Sequence, residues 1–146
     1  MKQDYYTLPL RFDIILDKKP HPKCALELSI AQHLHLILTT YYQESRFDHS
    51  FGSSIWERDF EMITDNKWID GVKQSILMAV AKNEPRLVDA VVQVEIDDHI
   101  EDYRILKKLN RKVRKRLWVK ISGNLDSTSK PFNFDEYIHI APLSID

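Results

Sequence analysis

At 146 residues, with 43% hydrophobic and 29% charged residues, the chain has the size and composition of one compact domain spanning residues 1–146, which excludes wholesale disorder. The net charge of -1 conceals an uneven distribution, and a lone cysteine, Cys24, excludes an internal disulfide and fits a reducing compartment. Only three glycines are present, too few for a glycine-rich phosphate loop, and no apolar run is long enough for a targeting or membrane-spanning segment, so the expected location is cytoplasmic.

Leu8 to Leu16 has the β-branched and aromatic content of a strand, and Lys18 to Lys23, with Pro20 and Pro22, is a loop. Ser29 and Gln32 form a capping-box pattern ahead of Ile30, Leu34, Ile37, Leu38 and Tyr41, which predicts a helix over about 30–43. A polar loop follows over Arg46 to Ser54, with a helical turn capped by Ser54 and Glu57 after it. Ile69, Val72, Ile76, Ala79 and Val80, with Trp68 alongside, predict a second long helix that starts near Asn66 and is stopped by Pro85.

From Val88 the period changes to two. Val88, Ala90, Val92, Val94 and Ile96 share one face of a half-buried strand, and Val113, Lys115, Leu117, Val119 and Ile121 share one face of another. Between them Asp98 and Glu101 suit the cap of a short helix carrying Ile100, Tyr103, Leu106 and Leu109. Gly123 to Lys130 is turn-rich, and Phe134 to Ala141 predicts a last strand. The order points to an α+β domain, two main helices packed on one face of a small, mostly antiparallel sheet.

The basic residues from Arg104 to Lys120 could bind phosphates, but no nucleic-acid module surrounds them, and Asp97, Asp98, Glu101 and Asp102 offer local charge partners. A solvated edge or a protein-docking patch is the better reading. His33 and His35 lie on different faces of their helix, and His21 and Cys24 lack a second ligand pair, so no metal and no cofactor is expected. Carboxylates such as Glu57, Asp59, Glu61 and Glu84 do not form a recognisable hydrolase pair, and no catalytic residue is assigned. Glu84-Pro85-Arg86, at the junction of the second helix and the first alternating strand, reads by itself as a helix stop beside an ion pair worth ~0–1 kcal/mol at a surface.

Taken in order, three segments carry a resemblance. The helix run Leu28 to Thr40, the loop Arg46-Phe47-Asp48-His49-Ser50-Phe51-Gly52 with Trp56 beyond it, and Glu84-Pro85-Arg86 followed by an alternating strand together resemble the phage baseplate wedge family that includes the type VI secretion subunit TssE. The resemblance implies a non-enzymatic baseplate component that binds the wedge core bundle and nucleates contractile sheath assembly. Its implied partners are TssF/TssG-like wedge proteins and TssB/TssC-like sheath proteins, in a baseplate docked at the inner membrane. It further implies that Glu84, Pro85 and Arg86 bind a partner, that Phe51, Gly52 and Trp56 build a structural loop, and that strands near the C-terminus offer the sheath an edge. An equivalent subunit of a phage tail or extracellular injection particle is the alternative, and a lysozyme-like peptidoglycan hydrolase a further one.

Overall fold

The computed structural model describes residues 4–40, 46–52 and 66–142. Two elements form the helical layer. Helix α2, Leu26–Thr39, follows the short pieces β1 (Tyr5–Tyr6), α1 (Phe12–Leu16) and β2 (Lys23–Cys24), and helix α3 spans Asn66–Asn83. Their stripes at three- and four-residue spacing are buried: Ile30, Leu34, Ile37 and Leu38 from α2, and Trp68, Val72, Ile76, Ala79 and Val80 from α3. These stripes cover one face of an antiparallel sheet of order β3-β4-β5, formed by Leu87–Ile105, Lys108–Leu125 and Pro131–Pro142. Val92, Val94, Leu117, Val119, Ile121, Phe132 and Ile138 supply the sheet side of the same core. Each large aliphatic buried there contributes roughly 1.5–3 kcal/mol. The α+β architecture is therefore as the periodicity predicts.

Four local expectations are corrected. Leu8 to Leu16 is not a strand: it folds around the Leu8–Pro9 peptide into the single-turn helix α1. Instead of joining a ladder it is pinned by side chains, the Leu8 amide donating to Gln32 Oε1 and the Arg11 amide to His21 Nε2. Helix α2 begins four residues earlier than its capping-box pattern suggests, because Ala25 is the cap. Ser29 and Gln32 lie inside the helix and serve tertiary contacts.

The third correction is the largest. Ile100, Tyr103, Leu106 and Leu109 do not form a helix; β3 and β4 continue through them as a two-stranded ribbon. Its register sets Asp97 opposite Arg116, Asp98 opposite Lys115, Glu101 opposite Lys112 and Asp102 opposite Arg111. Opposite charges on facing positions favour this pairing over a helix that would leave the basic run to repel itself. Fourth, Val88 points out of the core, since a bulge between Val88 and Val91, with Asp89 at a φ of 54°, shifts the strand by a residue. Helix α2 also stops short of residue 43, ending at Thr39 with the extended Thr40 as its C-cap, and the helical turn expected near Ser54 falls outside the described residues.

On the uncovered face of the sheet, Trp118 and Tyr137 stack with centroids 5.9 Å apart, Lys120 caps the outer face of Trp118 and Arg116 that of Tyr137. No helix among the described residues is long and apolar enough to cross a membrane.

Gly123 lies in β4 where the chain of β3 comes closest: a Cβ there would stand 2.8 Å from the Val88 carbonyl oxygen. Gly123→Ala should therefore cost about 1–3 kcal/mol, read as a lower denaturant midpoint with an unchanged m value.

A candidate docking site at the exit of the second long helix

The last turn of α3 delivers Glu84 inward. Its amide completes the helix by donating to the Val80 carbonyl, and Pro85 then forbids another helical turn. The Glu84 carbonyl accepts from the Leu87 amide, which turns the chain into β3. The Glu84 side chain is fully buried.

Such a carboxylate needs partners, and it has three. Arg86 grips it with a two-pronged pair, Nε to Oε1 at 2.7 Å and Nη2 to Oε2 at 2.8 Å. The Arg86 amide also donates to Oε1, at 3.2 Å. From α2, His33 Nδ1 lies 2.6 Å from Oε2. Arg86 extends the network, donating from Nη1 to Ser29 Oγ at 2.9 Å and resting its guanidinium 5.0 Å from the Tyr5 ring centre. The Arg86 carbonyl accepts from the Asp126 amide in the β4–β5 turn.

Burial alone pushes the Glu84 carboxyl upward, but the hydrogen bonds and charges of Arg86 and His33 outweigh it and hold the group down to about 2. The carboxylate is thus ionised across the physiological range.

The Phe51-Gly52 loop joins the same site. Phe51 stacks on His33 with ring centres 5.8 Å apart, and Gly52 takes a φ of 117° that a side chain would resist. Asp48 organises the turn by accepting from the Ser50 amide, and Lys82 of α3 reaches the Ser50 hydroxyl. Trp56, the third expected residue of this loop, lies outside the described residues. His33 is accordingly the piece that links the two motifs, with Phe51 on its ring face and Glu84 at its nitrogen. Sequence reasoning weighed it only as a metal ligand, although Ser29 and His33, one helical turn apart, already marked one polar stripe on α2. His35 points elsewhere, to Glu136 of β5.

The three residues expected to bind a partner differ in exposure. Glu84 is out of reach, Pro85 is exposed, and Arg86 is partly exposed, bordering with Tyr5, Leu26, Asp126 and Ser127 a shallow groove of about 190 Å³.

Residues 24–130 match the family described as Baseplate wedge protein gp25. The chain belongs to that family. A baseplate role in a contractile injection machine follows for this domain. The crystal structure of a Geobacter sulfurreducens protein described as a tail lysozyme is similar, with a TM-score of 0.59, 19% identity, and coverage of 86% of this chain and 100% of that one. At that identity the likeness is one of fold. No curated protein matches the chain. The family match takes in α2, the Phe51-Gly52 loop and Glu84-Pro85-Arg86 together, the same three segments that the network around His33 brings into contact.

Two measurements test the site. Because the folded Glu84 value of about 2 lies below its ordinary 4.5, its contribution is complete above pH 4.5 and disappears as the pH falls towards 2; that shift corresponds to about 3 kcal/mol. Urea titrations across this window should show wild-type stability falling more steeply than that of Glu84→Gln. At pH 7, Glu84→Ala should cost roughly 3–5 kcal/mol by stranding Arg86, while a double change of Glu84 and Arg86 to apolar residues should cost less than the single one.

Proposed function

We propose that this domain is a non-enzymatic baseplate component of a type VI secretion system, holding the wedge through the Arg86 surface and starting the contractile sheath at a sheet edge. The observation that carries the reading is the fixing of Arg86 at the protein surface by a buried, permanently ionised Glu84. An arginine held on two prongs has already lost its rotamer freedom, so a partner carbonyl or carboxylate that reaches its remaining donor capacity binds without that entropic cost. Pro85 beside it is a rigid, exposed contact. In this arrangement Arg86 and Pro85 touch the partner and Glu84 positions them. TssF/TssG-like wedge proteins are the proposed partners there, and a cytoplasmic baseplate docked at the inner membrane the proposed setting.

For the sheath, a TssB/TssC-like strand would add to an open edge by backbone hydrogen bonds. The bulge at Asp89 breaks the regular spacing of donors and acceptors at the start of β3, whereas β5 keeps one register with β4 from Pro131 to His139 and shifts only between His139 and Ala141, near its end. This favours β5 as the receiving edge.

The chemistry of the carboxylates supports the non-enzymatic part. Glycoside hydrolysis needs a general acid whose affinity for its proton is raised, opposite a second carboxyl. Glu84, the buried carboxyl among the described residues, is shifted the other way and is bonded to a guanidinium. Purified protein should release no soluble fragments from peptidoglycan; dose-dependent release that Glu84→Gln abolishes would reverse this assignment.

The docking role is tested by Arg86→Ala and Arg86→Lys in cells that secrete by this route. Arg86→Lys, which keeps a cation beside the buried Glu84, should accumulate as folded protein, co-purify at least tenfold less with wedge proteins and lower the number of sheaths seen by fluorescence microscopy; Arg86→Ala, which strands that carboxylate, should also lose stability. Normal assembly by a folded Arg86→Ala variant would end the proposal.

A further inference from the structure

Among the described residues, the β3–β4 ribbon extends past the end of β5. Among the described residues, strand β5 pairs with β4 as far as Arg114, opposite Pro142, and the last fully buried side chain described towards the tip is Leu117. From His99, which pairs with Arg114, to the turn at Leu106 the hairpin is two strands wide among the described residues and projects roughly 20 Å. Two properties set this projection apart from the rest of the sheet. The first is apolar exposure: Ile100 is 54%, Leu109 62% and Leu106 94% exposed. By strand alternation Ile100 and Leu109 stand on the face that carries the core further back. The second is charge. Residues 97–116 hold eight Lys and Arg against four Asp and Glu, in a chain whose net charge is -1, and all four acids lie at the base of the ribbon, none beyond Asp102. The tip is therefore basic.

The turn itself is costly. Leu106 and Lys107 both adopt left-handed backbone, at φ of 51° and 67°, in the two-residue loop where Asn-Gly is the favoured pair. The chain retains a leucine and a lysine at a place where neither suits the turn, which points to a use for their side chains.

We propose that this ribbon is a docking finger that inserts Leu106, with Ile100 and Leu109 along one side, into an apolar notch rimmed by acidic residues on a neighbouring protein of the injection machine. The inference rests on the baseplate reading above but concerns a different surface. Three arguments select this occupant. A nucleic-acid backbone would pair with the cations and leave the leucines idle. A bilayer would favour an apex apolar all round, whereas Arg104, Lys107 and Lys108 stand among the six residues from Arg104 to Leu109. An acidic-rimmed notch satisfies both properties: the apolar side chains enter its floor, and the cations steer the encounter and meet its rim.

The test uses the full chain co-expressed with the wedge and sheath proteins of its own system. A photo-crosslinking amino acid at position 106 should form one dominant adduct, and the cross-linked segment should be apolar with Asp or Glu on either side. The double substitution Leu106→Asn with Lys107→Gly gives the turn its preferred residues, so its Tm should equal or exceed that of the wild type. Its affinity for the cross-linked protein should nonetheless fall at least tenfold. Raising the salt concentration should weaken wild-type binding more than that of a Lys107→Gln, Lys108→Gln variant. Equal affinity of the Asn-Gly variant, or adducts scattered over several proteins, overturns the finger while leaving the docking role of Arg86 in place. Leu106-dependent flotation with phosphatidylglycerol vesicles, without a protein adduct, overturns it in favour of a membrane contact. If the wild-type chain assembles with none of these proteins, both the finger and the baseplate reading fall.

Discussion

A carboxylate taken out of water must find its solvation within the protein, and the architecture around Glu84 is organised by that requirement. The Glu84 side chain sits where helix α3 ends, strand β3 begins and helix α2 passes, and the last two send it donors: the Arg86 amide and guanidinium from the approach to the strand, and His33 from the helix. Replacing a buried pair by apolar groups would give a domain at least as stable in principle, so the pair defines geometry more than it adds stability. What it defines is the orientation of Arg86, whose other contacts reach Ser29, the Tyr5 ring and, through its carbonyl, the turn at Asp126. The N-terminal segment, both helices and the sheet thus meet at one arginine.

The parts of the fold set by periodicity were legible from the sequence. The helical stripe of α3, its stop at Pro85 and the alternating faces of β3 and β4 near the core follow from spacing alone, because burial on one side leaves no freedom in which residues face inward. The ribbon was misread for a physical reason. Ile100, Tyr103, Leu106 and Leu109 fit a helical period equally well, and what decides between helix and strand is the partner strand, whose charges match only when the two are laid in register. Likewise Leu8 to Leu16 has strand composition, but no neighbouring strand is available to it, so its backbone groups are satisfied by Gln32 and His21 instead.

The candidate site was half legible. Glu84-Pro85-Arg86 and Phe51-Gly52 were visible as separate motifs, and their order along the chain carried the family resemblance. That one histidine connects them could not be read from spacing, since His33 and Glu84 are 51 residues apart. Nor could a sequence decide which member of an adjacent acid–base pair is buried. The structure assigns the acid to the interior and the base to the edge of the surface, which the long aliphatic stem of arginine allows its head to reach.

The two histidines of α2 have a mechanical consequence. His33 fastens the helix to the turn that carries Arg86, and His35, two residues on and directed to another side, fastens it to Glu136 in β5. In the proposed assembly one attachment holds the wedge and the other strand receives the sheath, so tension generated by contraction would cross the domain along a path only two residues of helix wide. That path avoids the ribbon altogether. Helix α2 then acts as a tie bar, and the rest of the fold can flex without slackening the connection between its two loaded ends.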